Sequence, residues 1–172
     1  MARLEEWKHV ERIIEAFSLV ATKNMFLDIV GGGPEEDNLR QLVGYLDLND
    51  KVTFYGEVTR NEALKLLSNS DIFISTNDYS NISNSLLEAM SAGKGIIVLN
   101  TGKTSSIIDG TNGLVVEEDE LPAAIDQMCN KEIRVFLSYK AKQYAFTHFE
   151  SWDLRIKKEV DLCENLIKRR MQ

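Results

Sequence analysis

Asp71-Ile-Phe-Ile-Ser75, a polar loop over residues 76–83, Asn84-Ser-Leu-Leu-Glu-Ala-Met-Ser-Ala-Gly93 and Lys94-Gly-Ile-Ile-Val-Leu-Asn100 form the stretch that decides the fold. It reads as a buried strand, a loop, a short helix with a polar first turn, and a second buried strand, which is a βαβ unit. Ligands bind such units where strand ends meet helix beginnings. Glu88 stands among Leu86, Leu87, Ala89 and Met90 on a helix that should otherwise be buried. It needs a partner, and the identity of that partner is the first functional question.

The same alternation continues outward. An amphipathic helix is expected over residues 5–21, with Val10, Ile13, Ile14, Phe17 and Val20 on one face. The strand that should feed it is missing or reduced to a few residues, so the chain is expected to begin inside a larger protein. Met25-Phe-Leu-Asp-Ile-Val30 is the next strand, followed by Gly31-Gly-Gly-Pro34 and a helix with Leu39, Leu42, Val43 and Leu46 inward. Pro34 suits a helix's first turn, where its missing N–H costs nothing. Val52-Thr-Phe-Tyr55 is another strand, and Thr59 with Glu62 forms a capping box, which makes Glu62 structural. A small helix over residues 104–108, a turn at 109–113 and a strand at 114–116 follow. Helices are expected over 121–129, 131–147 and 151–168, the last capped by Ser151. The fold class is therefore α/β, a parallel sheet with helices on both faces, ending in C-terminal helices. Residues 1–172 are expected to form one domain, with 120–172 as its helical part.

Composition excludes several classes. The chain has 172 residues, 44% of them hydrophobic, and a formal net charge of −7, so nucleic acid is not an expected partner. The basic cluster Lys168-Arg169-Arg170 reads as a solvated helix end before it reads as a membrane contact. Cys129 and Cys163 lie far apart without metal spacing and are expected to be reduced, in a cytoplasmic protein. The two histidines, His9 and His148, have no serine or cysteine in a nucleophile setting. No Asp-x-Asp is present to hold a divalent ion against a diphosphate, and Glu35-Glu-Asp37 and Glu117-Glu-Asp-Glu120 read as acidic helix starts. No metal or cofactor is expected. A bound diphosphate would rely on side-chain cations and helix N-termini. Arg3 and Lys8 are the candidates, although surface cations are common. Gly31, Gly32 and Gly33 allow close approach of an anion to a helix start, and equally a tight turn with no ligand.

Taken in order, Arg3-Leu-Glu-Glu-Trp-Lys8, Leu27-Asp-Ile-Val-Gly-Gly-Gly-Pro-Glu35, Val52-Thr-Phe-Tyr-Gly56, Asp71-Ile-Phe-Ile-Ser75, Asn84-Ser-Leu-Leu-Glu-Ala-Met90, Asp109-Gly-Thr-Asn-Gly-Leu-Val115 and Phe149-Glu-Ser-Trp152 resemble the C-terminal, donor-binding domain of GT-B glycosyltransferases of the group 1 family. The resemblance covers almost the whole chain and implies a Rossmann-like sheet, one half of a GT-B fold. It implies retaining, metal-independent transfer of a hexose from a nucleoside-diphosphate sugar to a glycan or lipid-linked acceptor, in polysaccharide biosynthesis. Arg3 and Lys8 match the basic pair that binds the donor diphosphate. Glu88 matches the second glutamate of E-x7-E, which accepts from the ribose hydroxyls. Asn84, Ser85 and Leu86 belong to the same motif, Gly31 to Gly33 match the turn lining the nucleotide cleft, and Gly56 to Val58 lie where the base stacks. The implied partners are a nucleotide sugar and an acceptor-binding N-terminal domain or subunit, with peripheral membrane contact through the acceptor.

Three positions depart from the pattern. Ser80 replaces the first glutamate of E-x7-E, Ser106 stands where many members carry glutamate, and Gly95 replaces a proline. Serine is shorter and uncharged, so it holds a sugar hydroxyl less strongly. An N-terminal acceptor domain is expected to be absent from this chain, which implies that the isolated chain shows no efficient transfer. Two other functions compete with the donor half: a non-catalytic nucleotide-sugar-binding or scaffold module derived from the family, and a nicotinamide-binding oxidoreductase. Against the last, the glycine run lacks the final glycine of G-x-G-x-x-G, and the expected acidic residue is only loosely met by Glu57.

Overall fold

The structure, a computed structural model, describes residues 1–77, 83–101, 106–149 and 152–170. In chain order it runs α1 (Val10–Leu19), β1 (Leu27–Val30), α2 (Glu36–Tyr45), β2 (Val52–Gly56), α3 (Arg60–Asn69), β3 (Ile72–Ser75), α4 (Asn84–Ser91), β4 (Gly95–Leu99), β5 (Leu114–Val116), α5 (Leu121–Cys129), α6 (Lys131–His148) and α7 (Trp152–Arg170). Every pairing between these strands is parallel. β1, β2 and β3 are each followed by a helix, the crossover that parallel pairing needs.

β4 shows why the strands read as apolar throughout. All five of its residues are buried. Ile96 and Val98 pack with Leu67 of α3, Leu86 and Met90 of α4 and Ala141 of α6. Ile97 and Leu99 face the other way, against Ala16 of α1, Leu121 and Ile125 of α5 and Leu137 of α6. Side chains alternate across a strand, so a strand covered on both faces must be apolar at every position. A third cluster joins Leu4, Ile14, Phe17, Ile29, Leu39, Val43 and Val52, and holds α1 and α2 against β1 and β2.

Some expectations are revised. The helix expected over residues 5–21 is interrupted: Glu6–Lys8 is a 3-10 turn, His9 takes a left-handed conformation (φ 50°), and α1 begins at Val10. The break has a local cause. The His9 N–H donates to the Glu6 carbonyl, while the buried Thr76 hydroxyl binds the Lys8 and His9 carbonyls at 2.9 and 2.8 Å. Pro34 precedes α2 rather than sitting in its first turn, with Glu35 as the capping residue. Residues 106–108 are not helical; 104 and 105, like Ser80 and Ser151, lie outside the described residues. The sheet is also divided. β1 pairs with β2, and β3–β4–β5 form a separate group, with no named strand between β1 and β3.

The Thr59–Glu62 capping box is present, with the Thr59 N–H donating to Glu62 Oε2 at 2.9 Å and the Glu62 N–H to Thr59 Oγ1 at 3.3 Å. The Thr59 hydroxyl, which donates to the same carboxylate, holds Glu62 below the usual carboxylate range. The turn after β4 depends on Asn112. Its buried amide donates to the Ser106 carbonyl at 2.9 Å and accepts from the Ile108 N–H at 2.7 Å. Asn112→Ala removes both partners at once. It is expected to destabilise the chain by roughly 2–6 kcal/mol, since each unpaired buried group costs about 1–3 kcal/mol, as urea unfolding would measure.

Candidate functional site

The site forms around residues 1–4, which cross the C-terminal end of β1 as an extended strap. The Ala2 and Leu4 N–H groups donate to the Val30 and Gly32 carbonyls, both at 2.9 Å, and the Leu4 carbonyl accepts from the Glu35 N–H at 3.2 Å. Glycine is required beneath the strap. Gly31 has φ +128°, and a Cβ there or at Gly33 would lie inside the Ala2 or Leu4 carbonyl. The close approach at these two positions is therefore to the chain's own backbone. Gly32 faces the segment after β2, where its Cβ would stand 2.8 Å from Cγ of Glu57. The Gly31 N–H donates to the Gly56 carbonyl at 2.9 Å, so the glycine turn and the Gly56–Val58 segment adjoin.

α4 approaches from the other side. The Ser85 hydroxyl donates to the Met1 carbonyl at 2.7 Å, and Ser83 caps the helix by accepting from the Leu86 N–H at 3.1 Å. Leu86 is fully buried, whereas Asn84 is exposed and Glu88 half-buried. The first turn of α4 carries no acidic residue, in contrast to α2, whose first turn holds Glu36 and Asp37. An anion is repelled at the start of α2 and tolerated at the start of α4. The Glu88 carboxylate has a partner: Arg60 Nη2, at the first position of α3, lies 3.3 Å from Oε1. That arginine is mostly exposed. An exposed pair of this kind contributes about 0–1 kcal/mol, so a better ligand can replace it.

The two cations are placed differently. Lys8 stands on the 3-10 turn tied to Thr76, with its ammonium 3.8 Å above the Trp7 ring, and burial lowers its pKa. Arg3 is exposed on the strap and pairs with Glu5 at 2.9 Å. The Met1 amine lies close to both Lys8 and Glu88. Burial, then the Lys8 ammonium, push its pKa down to about 6, while the nearby Glu88 carboxylate opposes the shift. Lys8, Ser85, Glu88 and the glycine turn thus surround one point at the strand ends. Val58 is half-buried.

The Met1 shift predicts a pH dependence. A folded value near 6 against 8.0 for an unperturbed terminus means that the unfolded chain binds more protons between these values. The contribution is complete above pH 8 and lost as pH falls through about 6, amounting to roughly 2–3 kcal/mol. Urea unfolding at pH 5.5, 7 and 8.5 should show this fall, and Nα-acetylated chain should lack it.

Sequence reasoning did not find Arg60 or Thr76. Arg60 follows a capping threonine, a position legible from the capping box, but its contact with Glu88 spans 28 residues. Among the described residues, no three His, Cys, Asp or Glu side chains come together as a metal site. No helix of the described residues is long and apolar enough to cross a membrane. Cys129 and Cys163 are free thiols.

Parallel strands, helices on both sides and a cleft at the strand ends define a Rossmann-like α/β protein. Residues 1–145 match the family described as glycosyl transferases group 1, and the chain belongs to that family. It is 30% identical over 97% of its length to an uncharacterised glycosyltransferase of Methanocaldococcus jannaschii, and spans 44% of that protein. Its fold resembles S. aureus TarM, solved in complex with UDP (TM-score 0.83, 22% identity, 94% of this chain and 34% of that one). It also resembles the C-terminal domain of a group 1 family protein, LpcC, from Francisella tularensis (TM-score 0.79, 21% identity, 87% and 84%). These structural neighbours are glycosyltransferases of the GT-B fold, which the chain shares as a Rossmann-like unit.

Proposed function

We propose that the chain is the donor half of a retaining, metal-independent glycosyltransferase that binds a nucleoside-diphosphate hexose. The observation that carries this is the convergence of Lys8, Ser85, Glu88 and the glycine turn at one point of the strand ends. Glu88 turns from Arg60 to the ribose hydroxyls, accepting two charge-assisted hydrogen bonds. Gly56 to Val58 border the base. Asn84 and Ser85 present the uncharged start of α4 to the diphosphate, where the helix dipole favours an anion. Breaking the sugar–phosphate bond places negative charge on the departing diphosphate. Lys8 and Arg3 stabilise that charge more in the transition state than in the ground state. Arg3 must first leave Glu5. The acceptor, a glycan or lipid-linked sugar, is held by further polypeptide, and the 172-residue chain alone does not sustain transfer.

A calorimetric titration with UDP, GDP and ADP, in the presence of EDTA, tests this. Saturable binding of one nucleotide supports it and names the base. No binding to any of them leaves the family's fold serving as a scaffold, with Glu88 held by Arg60.

A further inference from the structure

The two sides of α6 differ in character. At about 100° per residue, Leu137, Ala141 and Ala145 fall on one side, buried in the clusters around β4. Lys131, Val135, Tyr139, Lys142 and Phe146 follow one another along the other side, with Phe136 beside them. Val135, Phe136, Tyr139 and Phe146 are each more than half exposed, and none of the four belongs to a core cluster. The fold does not need this row to be apolar.

Two depressions border the row. The first, of about 420 Å³, is cationic: Lys94, Lys131, Arg134 and Lys142 line it against the single carboxylate of Asp71. Main-chain oxygens hold two of these cations in place. The Lys94 ammonium donates to the Ser68 and Ser70 carbonyls at 2.7 and 2.8 Å, and the Arg134 guanidinium to the Met128 and Cys129 carbonyls, both at 3.1 Å. Lys131 and Lys142 have no hydrogen bond or ion pair to any described residue. The second depression, of about 610 Å³, is apolar, with Tyr139, Tyr144 and Phe146 in its wall. Tyr139 and Lys142 line both. A phosphate group and a hydrocarbon chain of one molecule therefore find their partners side by side.

Charge selects the kind of surface. α6 carries four cations and one carboxylate, Glu132, a net +3; the whole chain stands at −7, so the remainder carries −10. An anionic surface attracts this face and repels the rest, which sets the orientation of the contact.

We propose that the outer face of α6 is a docking surface for an anionic phospholipid bilayer, with lipid phosphates beside Lys131 and Lys142 and the Tyr139 and Phe146 rings at the boundary between headgroups and acyl chains. Aromatic rings next to cations suit that boundary, which is apolar on one side and wet on the other. The helix lies on the surface and does not cross it, being too polar to do so. The contact is made by the chain's own side chains and so needs no lipid-linked acceptor. Asp71 and Lys94 immediately precede β3 and β4, so the docking surface adjoins the opposite ends of the strands from the donor site and is independent of it.

The test is co-sedimentation of the chain with vesicles of phosphatidylcholine alone and of phosphatidylcholine mixed with phosphatidylglycerol. Binding only to the mixed vesicles is expected, although the chain as a whole is negative. Each lysine at an anionic surface strengthens binding roughly fivefold, so Lys131→Glu with Lys142→Glu should weaken it by ~10-fold or more. Tyr139→Ser with Phe146→Ser should weaken it with the lysines left in place. All four positions are exposed, so both variants should unfold at the parent's Tm. Added salt shortens the screening length from about 10 Å at 0.1 M to about 3 Å at 1 M and should release the chain. Lys157→Glu, on α7, is the control and should bind as the parent does. Equal binding to both kinds of vesicle, binding to neither, or release by Lys157→Glu but not by the α6 variants would each overturn the proposal. So would a vesicle-free dimer that the α6 substitutions dissociate, which would make a second copy of this chain the occupant.

Discussion

Gly31→Ala is expected to destabilise the chain by about 2–6 kcal/mol, a large part of the 5–15 kcal/mol that usually separates folded from unfolded protein. Two costs combine. At φ +128° an L-residue is strained by about 1–3 kcal/mol. The new methyl group also occupies the place of the Ala2 carbonyl, so either the strap lifts or the backbone shifts, at a further ~1–3 kcal/mol. Lifting the strap breaks the Ala2 and Leu4 bonds to Val30 and Gly32 and draws the Met1 carbonyl away from Ser85. Nucleotide binding should therefore fall with stability. Gly44→Ala is the control: it lies in α2 with nothing within 4 Å of the added Cβ. Alanine there should stabilise by roughly 0.5–1 kcal/mol. Urea unfolding of the two variants measures both.

The second large effect concerns binding. Glu88→Ala is expected to weaken nucleoside diphosphate at least tenfold, because a carboxylate that accepts two ribose hydroxyls contributes about 1.5–3 kcal/mol through each bond. The fold should barely respond, since the ligand-free partner is the exposed Arg60. Arg60→Ala separates the roles. It removes a competitor for the carboxylate and should leave affinity unchanged or slightly raised. Calorimetry on the three proteins gives the ranking. A Glu88→Ala protein that binds as tightly as the parent would remove the ribose from this carboxylate.

Much of the fold was legible because its signals are local. The apolar run Ile96 to Leu99 reads as a strand buried on both faces, and Thr59 with Glu62 marks the start of α3. The break at His9 was not legible. Residues 5–21 carry a good helical pattern, and what interrupts it is a hydroxyl 67 residues away, on Thr76. The glycine run was read correctly as a place of close approach, yet the approaching group was open, and at Gly31 and Gly33 it is the backbone of residues 2 and 4. The need of Glu88 for a partner was visible from its apolar neighbours, whereas Arg60 became its partner only through the packing of α3 beside α4. The division of the sheet follows from the same limit. Alternation called for a strand before α1, and residues 1–4 cross the end of β1 there as an extended strap.

Backbone amide shifts of the 15N-labelled chain, followed during titration with UDP, GDP and ADP, test most directly whether the strand ends form one donor site. Progressive shifts confined to Gly31 to Gly33, Gly56 to Val58 and Ser85 to Glu88, together with Lys8, are the result expected for one of the three nucleotides. Saturating shifts gathered elsewhere on the chain, with these positions unmoved, would contradict it.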